Sequence, residues 1–505
     1  MKARNITGLF LLILSMAQLS CKKFDDLRKD PSAIVNAPPK LVFTGILLDL
    51  VQSEGPWGQD QRNNQFMVLN EPYYGGQYYD WITGSYTNYT YLQNVGRLEI
   101  EAQKNGAAAA PYLALAKFFR AYFFVNLTTM FGDVPMSEAL NGATSKIFTP
   151  KYDNQHDVYM QCLKLLDDAN NQIAPLVKNN ATVDGDIFYG GNLSKWQKLI
   201  NSFRLRVLIS LSKRADDTPD LNIKQQFASI INNPAQYPLI LTNADNFQLV
   251  YNTSDVSNNY PLWPSNGVVL YKDLRNTLGA TYVDIIKKTK DPRIFVIALP
   301  TDSAKASGDP NYATEFTSFR GAKTGDLQST QKTQSIAGLL SEINFYYWEA
   351  SPAGIPYVYT GASETNFSIA EAINRGWIPG DAATYYNQGI AESMKFYGIT
   401  NAATINSFTT QNAYAGNTPA GLMQILEQKY VAFFENSGKE AYYNFRRTGV
   451  PKFDVGPQNA NNNLIPTRWA YPTGEYTTNT VNVKAAIQNQ FVGADTQNGV
   501  TWQIK

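Results

Sequence analysis

Apolar residues recur at helical spacing through the first half of this chain, then lose that spacing. Over Lys40 to Gln52, Tyr86 to Lys104 and Pro111 to Phe131 they return every third or fourth position, as in a helix with one face on a core. The third run stops at Gly132-Asp133-Val134-Pro135, the Gly-then-Pro pair that ends helices. Tyr159, Cys162, Leu163, Leu166 and Ala169 mark a fourth helix, and Trp196, Leu199, Ile200, Phe203 and Val207 a fifth. Further helices are predicted over Ile223 to Ile231, Phe367 to Arg375, Asp381 to Tyr397 and Leu422 to Asn436. From about Tyr237 to Tyr359 the pattern becomes short apolar runs between Asn, Ser, Gly and Pro clusters, which predicts loops with a few short strands. After Gly449 the chain is again loop-rich. The predicted fold class is mainly α: helix pairs form a repeat-like scaffold that carries a loop-rich, irregular half, although no exact sequence repeat is present.

The chain opens with basic Lys2 and Arg4, an unbroken apolar stretch from Leu9 to Leu14, and small or polar Ser15, Ala17 and Ser20 before Cys21. This order reads as a secretory signal peptide over residues 1–20. Its apolar stretch is shorter than the roughly 20 residues a spanning helix needs. The segment resembles a bacterial lipoprotein signal, which implies that Cys21 becomes the acylated first residue; Gln18 stands where an aliphatic residue is usual. Residues 21–40, with Asp30-Pro31 and Pro38-Pro39, read as a lipidated tether running into the first helix, and residues 41–505 as the folded domain. Two or more acyl chains, at about 0.8 kcal/mol per buried methylene, would hold such a protein stably on a membrane.

Composition narrows the function. A net charge of +1 gives no electrostatic case for nucleic acid. The charged fraction is 17%, below the usual value of about 25%, while the chain carries 31 Tyr and 8 Trp, so polar aromatic rings stand where charge often does. With Cys21 lipidated, Cys162 has no partner and no disulfide framework forms.

The usual reactive constellations are missing. His156 and Cys162 share one predicted helix, but Cys162 lies on its apolar face, where a thiol acts as a small hydrophobe. A Cys/His zinc site lacks ligands, Ser437-Gly438-Lys439 lacks the leading glycine of a phosphate loop, and Asp184-Gly185-Asp186 is too short for a calcium loop. No cofactor or metal is predicted. Asp167-Asp168 reads as a solvated pair. A glycosidase needs only two carboxylates, and the 42 Asp and Glu residues single out no pair.

Six segments in order resemble the SusD/RagB family of outer-membrane nutrient-binding lipoproteins. They are Ala116-Lys117-Phe118-Phe119-Arg120-Ala121-Tyr122 through Gly132-Asp133-Val134-Pro135; Pro150-Lys151-Tyr152-Asp153 with Val158 to Asn170; Tyr189-Gly190-Gly191-Asn192 with Lys195-Trp196 and Asn201 to Arg206; Phe367 to Gly376; Glu427 to Arg447; and Ile465 to Pro472 with Glu475. The order and the Tyr471-Pro472 ending are most similar to the second SusD-like subfamily. The resemblance implies a non-enzymatic, lipid-anchored outer-membrane protein exposed at the cell surface. It also implies four tetratricopeptide-like helix pairs, a SusC-like TonB-dependent transporter as partner, and ligand capture by the irregular half. Asp25-Asp26 loosely resembles the family's surface-export signal. The motif aromatics Phe118, Phe119, Tyr122 and Phe123 read as core, and Arg204, Arg206, Arg446 and Arg447 as partners for carboxylates or helix ends.

Sugars present flat C–H faces rimmed by hydroxyls, so their sites pair aromatic platforms with Asn, Gln, Asp or Arg. Three loop clusters fit that description. The first runs from Tyr73 to Tyr89 and offers Tyr78, Trp81, Tyr86 and Asn88; the second offers Tyr251, Tyr260, Trp263 and Asn266; the third offers Tyr347 and Trp348 with Tyr357 and Tyr359. Neighbouring residues on an extended strand face opposite ways, so part of each cluster must be packing. Trp81 and Trp263 are the preferred platforms. The expected function is capture of glycan or oligosaccharide for a transporter; the alternatives are a peptide-capturing RagB-like lipoprotein, an exported glycoside hydrolase on a helical scaffold, and a purely structural interaction protein.

Overall fold

The computed structural model describes residues 37–263, 276–491 and 493–505. The leader, Cys21, Asp25-Asp26, most of the tether and Asn266 lie outside the described residues. Helices of nine residues or more are labelled here in chain order. In the first half they are α1 (Pro39–Ser53), α2 (Thr87–Lys104), α3 (Ala110–Phe131), α4 (Gln155–Lys178), α5 (Leu193–Ser210) and α6 (Ile223–Asn232). They continue as α7 (Ala280–Thr289), α8 (Gln328–Ile336), α9 (Ala362–Asn374), α10 (Ala382–Phe396), α11 (Ala402–Gln411), α12 (Pro419–Ala432), α13 (Glu440–Thr448) and α14 (Thr480–Gln490).

The structure is mainly helical, and every helix expected from apolar spacing is present. Successive helices pack on one another: α1 on α2, α2 on α3, α3 on α4, α4 on α5, then α9 on α10 and α12. Local chemistry sets their ends. The Asn154 side chain accepts from the Asp157 N–H at the start of α4, and Asn192 accepts from the N–H groups of Ser194 and Lys195 at the start of α5. Gly132 closes α3 at φ +91°, donating its N–H to the Thr128 carbonyl at 2.8 Å; a Cβ there would lie 2.1 Å from Gln490 Oε1.

α3 is the central helix because its sequence is apolar on nearly every side. Phe118, Phe119, Tyr122 and Phe123 are buried, and they meet Phe43 from α1 and Trp196 and Phe203 from α5 at ring separations of about 5 to 6.3 Å. A satellite core beneath α9 to α12 joins Phe367, Tyr386, Ile390, Met394 and Phe408.

The motif arginines tie these layers together. Arg206 on α5 donates to both oxygens of Glu364 in the first turn of α9, with Nε to Oε1 at 2.6 Å. Arg447 on α13 reaches Glu371 on α9, and Arg204 pairs with Asp167 on α4. Arg446 donates to the carbonyls of Thr467 and Thr129. Asp168 pairs with Lys164 one turn away, at the surface. Buried pairs of this kind are costly to break because the remaining charge is stranded.

Between residues 237 and 360 the chain holds short elements. β1 (Met67–Leu69) pairs antiparallel with β3 (Asn276–Leu278), Met67 opposite Leu278; β2 (Phe247–Leu249) pairs antiparallel with β4 (Tyr357–Thr360), with an irregularity after Phe247. Helices α7 and α8 also fall here, where loops were expected. Among the described residues no helix is long and apolar enough to cross a membrane.

Candidate ligand surface

Two of the three aromatic loop clusters meet, and the residue that joins them is Trp57, which the sequence did not single out. Its backbone has φ +65°, and its N–H donates to Glu435 Oε2, itself at φ +55°. The Trp57 indole Nε1 donates to the Tyr260 hydroxyl at 2.7 Å. On its other side the Trp57 ring meets Trp348 edge-on at 5.0 Å. Tyr251 packs edge-on against Tyr260 at 5.2 Å, and Tyr347 against Trp348 at 5.0 Å. A continuous run of rings therefore leads from the second cluster to the third.

The turn at residues 351–354 locks this arrangement. Tyr260 donates its N–H to the Pro352 carbonyl at 2.7 Å. Gly354, at φ +49°, lies so near the Tyr260 ring that a Cβ would fall 2.1 Å from Cγ. Only glycine suits that close approach.

Burial separates anchors from exposed positions. Tyr260 and Trp348 are each 2% exposed, and Trp348 Nε1 is used by the Ile297 carbonyl at 3.0 Å; their ring faces are packing. Trp263, Tyr251 and Tyr347 are half-buried at the edge of the same core, and Tyr346 is 74% exposed. Burial pushes the Tyr251 and Tyr347 hydroxyls up from the usual phenol range, so both remain neutral donors near pH 7.

The first cluster goes elsewhere. Trp81 stacks on Trp469 at 5.2 Å with the rings 16° apart, meets Tyr442 and Tyr79, and donates to the Arg468 carbonyl. Backbone bonds between Gly84, Ile82 and Ala470 clasp this loop to the late part of the chain. Tyr78 donates to Gln328 Oε1 at 2.6 Å. Tyr86 packs on Tyr89 and Phe131 and donates to Tyr152, which in turn donates to Glu475. Among the described residues none of the rings touching Trp81 belongs to the second or third cluster, and no ring contact joins Trp81 to Trp263. Asn88 lines a separate cavity at the start of α2.

The residues weighed for reactive chemistry take structural positions. Cys162 is fully buried and its thiol is pushed up by burial. His156 lies between Asp157 and Asp220, at 2.8 and 2.9 Å. Asp186 accepts from the N–H groups of Phe188, Tyr189 and Gly191 and from Trp196 Nε1 at 2.8 Å, which makes it the centre of a turn. Among the described residues no group of three His, Cys, Asp or Glu is arranged to hold a metal ion.

Comparison with known proteins agrees with this architecture. The family model for SusD-like proteins, described as starch-binding and associating with the outer membrane, matches residues 31–472. Two solved SusD homologues from Bacteroides fragilis NCTC 9343 are similar in fold. One is 33% identical with a TM-score of 0.79, the other 28% identical with a TM-score of 0.83; each comparison covers 93% of this chain and 100% of the other. A chitin-binding protein is 25% identical with a TM-score of 0.73, covering 92% of this chain and 99% of that one. No curated protein matches the chain in sequence. SusD-like proteins are binding proteins, and no catalytic family is indicated. With the family's model spanning most of its length and its fold shared with solved SusD homologues, this chain belongs to the SusD-like family of starch-binding proteins that associate with the outer membrane.

Proposed function

We propose that this protein is a lipid-anchored, surface-exposed lipoprotein that captures oligosaccharide without cleaving it and passes it to a SusC-like TonB-dependent transporter. The supporting observation is the ring run centred on Trp57, with half-buried Trp263, Tyr251 and Tyr347 and exposed Tyr346 beside buried anchors. Such an arrangement holds platforms at fixed spacing, and stacking adds about 0.5–1.5 kcal/mol per pair beyond area burial. Two or three platforms yield micromolar to millimolar capture, which suits cargo that must be released. The chitin-binding relative favours a glycan over a peptide as the cargo class.

Isothermal titration of the soluble domain against oligosaccharide and peptide panels tests the reading. At least one oligosaccharide should bind, and Trp263→Ala should weaken it about tenfold, near 1.4 kcal/mol, with an unchanged melting temperature. Failure of every sugar with binding of peptides would replace glycan by peptide as cargo. Release of product during long incubation with polysaccharide would overturn the non-catalytic reading.

A further inference from the structure

Away from the aromatic run, a cavity of about 310 Å³ opens between the end of α1, the start of α2, α3, α5 and the start of α13. That volume is at the low end of ligand pockets, about 300–1,000 Å³. Exposed Ser53, Ser85 and Thr87 stand at its mouth. Asn88 and the Tyr122 and Tyr443 rings line it.

Its charged groups are unevenly satisfied. Lys439 is engaged by Asp60 at 2.9 Å, and Arg206 spends Nε and Nη2 on Glu364. Two carboxylates, Glu54 and Glu440, face the same space. Glu54, half-buried against Gly438, has no hydrogen-bond partner among the described residues. Glu440 has only a long contact, 3.9 Å, to Arg206 Nη1. Burial raises both carboxyls, Glu54 to about 7 despite Lys439, and Glu440 despite Arg206, Lys429 and Arg446. The Arg206 side chain is 9% exposed and lines the cavity, and among the described residues its Nη1 makes no bond other than the long contact to Glu440. A half-buried acceptor without a hydrogen bond and a buried guanidinium with one long contact thus line the same hydroxyl- and amide-lined space.

We propose that this cavity is a second ligand site, distinct from the aromatic surface, that takes a small polyhydroxylated primary amine of the amino-sugar class. The ammonium would donate to Glu54 and Glu440, a neighbouring hydroxyl would accept from Arg206 Nη1, and Asn88 would serve the remaining hydroxyls. A metal ion suits the site less well, since two carboxylates in a space this size leave most of a coordination shell unfilled. A neutral polyol would add no cation to Glu54 and Glu440 beyond the Lys439 and Arg206 already beside them.

Glucamine, an open-chain amino polyol, and sorbitol, its hydroxyl counterpart, test the proposal by titration calorimetry and by thermal shift. Glucamine should bind wild type at least about tenfold more tightly than sorbitol, and Glu54→Gln should abolish that preference. Trp263→Ala should leave glucamine binding intact, which separates this site from the oligosaccharide surface. Equal binding of the two probes, no binding of either, or glucamine binding unchanged in Glu54→Gln would each overturn the proposal. The melting temperature of each variant without ligand identifies a folding defect, and Asn88→Ala then supplies the second test: weaker binding of glucamine supports the site, unchanged binding opposes it.

Discussion

Trp57 and Tyr260, 203 residues apart in sequence, share a buried hydrogen bond in which the indole Nε1 donates to the phenol oxygen. That bond, with the edge-on contact of Trp57 on Trp348, fixes the loop after α1 to the irregular half. Tyr260→Phe strands the indole N–H in an apolar setting and should cost about 1–3 kcal/mol, read by urea denaturation. Tyr260→Phe keeps the ring on which Tyr251 rests, so oligosaccharide affinity should change less than stability.

Glu435 predicts a pH dependence of stability. Burial pushes its carboxyl up to about 8, against the opposing Trp57 N–H, whereas the ordinary value is 4.5. Between those values the unfolded chain releases the proton while the folded protein keeps it, so stability falls as pH rises. The slope contributed is at most about 1.4 kcal/mol per pH unit. Glu435→Gln removes this contribution, so denaturation curves from about pH 5 to pH 8 should be flatter for the variant than for wild type. Equal slopes would mean that Glu435 does not hold its proton.

Glu371 acts in the opposite direction. Burial alone would raise its carboxyl, but the Arg447 and Arg375 guanidiniums overcome burial and hold it at about 2. Its stabilising contribution is complete above the ordinary value of 4.5 and is lost as pH falls toward 2. Glu371→Gln should therefore destabilise strongly near pH 6, by a few kcal/mol, and much less near pH 2.5. Circular dichroism melts at the two pH values read the difference.

Asp186 satisfies four donors at the turn before α5. Asp186→Ala leaves the Trp196 indole N–H without its acceptor beside the main core and should cost roughly 3 kcal/mol. Asp184→Ala, two residues earlier, is the matched control and should be close to neutral in the same denaturation assay.

Cys162 should resist thiol reagents in the folded protein. It is fully buried and its thiol is pushed up by burial, so little thiolate is available. Iodoacetamide should add no mass to the folded chain lacking residues 1–21, and one adduct after denaturation. Rapid native labelling would show that α4 opens at this position.

The helical frame was legible because its signals are local. Pro111, Gly132 and the apolar positions between them specify α3 within one stretch of chain. Helix α11 escaped notice because its turns are filled by Thr, Asn and Ser, with Ile405 and Phe408 alone buried. The aromatic clusters were visible as composition, but their convergence was not. Trp57 sits alone among Gly55, Pro56 and Gly58, and its role depends on Tyr260 and Trp348, far along the chain. Those partners are set by tertiary packing, which periodicity does not encode. The only local hint was the Gly-Pro-Trp-Gly string itself, a turn that holds one large ring.

The clasp between residues 82–84 and Ala470 imposes an order of assembly. A polypeptide emerging from its N-terminus can pair α1 through α5 early, yet Trp81 finds Trp469 only once nearly the whole chain is present. Until that moment a large indole and its loop stay open to other apolar surfaces. Truncation before Trp469 should thus yield a helical but adhesive product, a practical boundary for anyone trimming this domain.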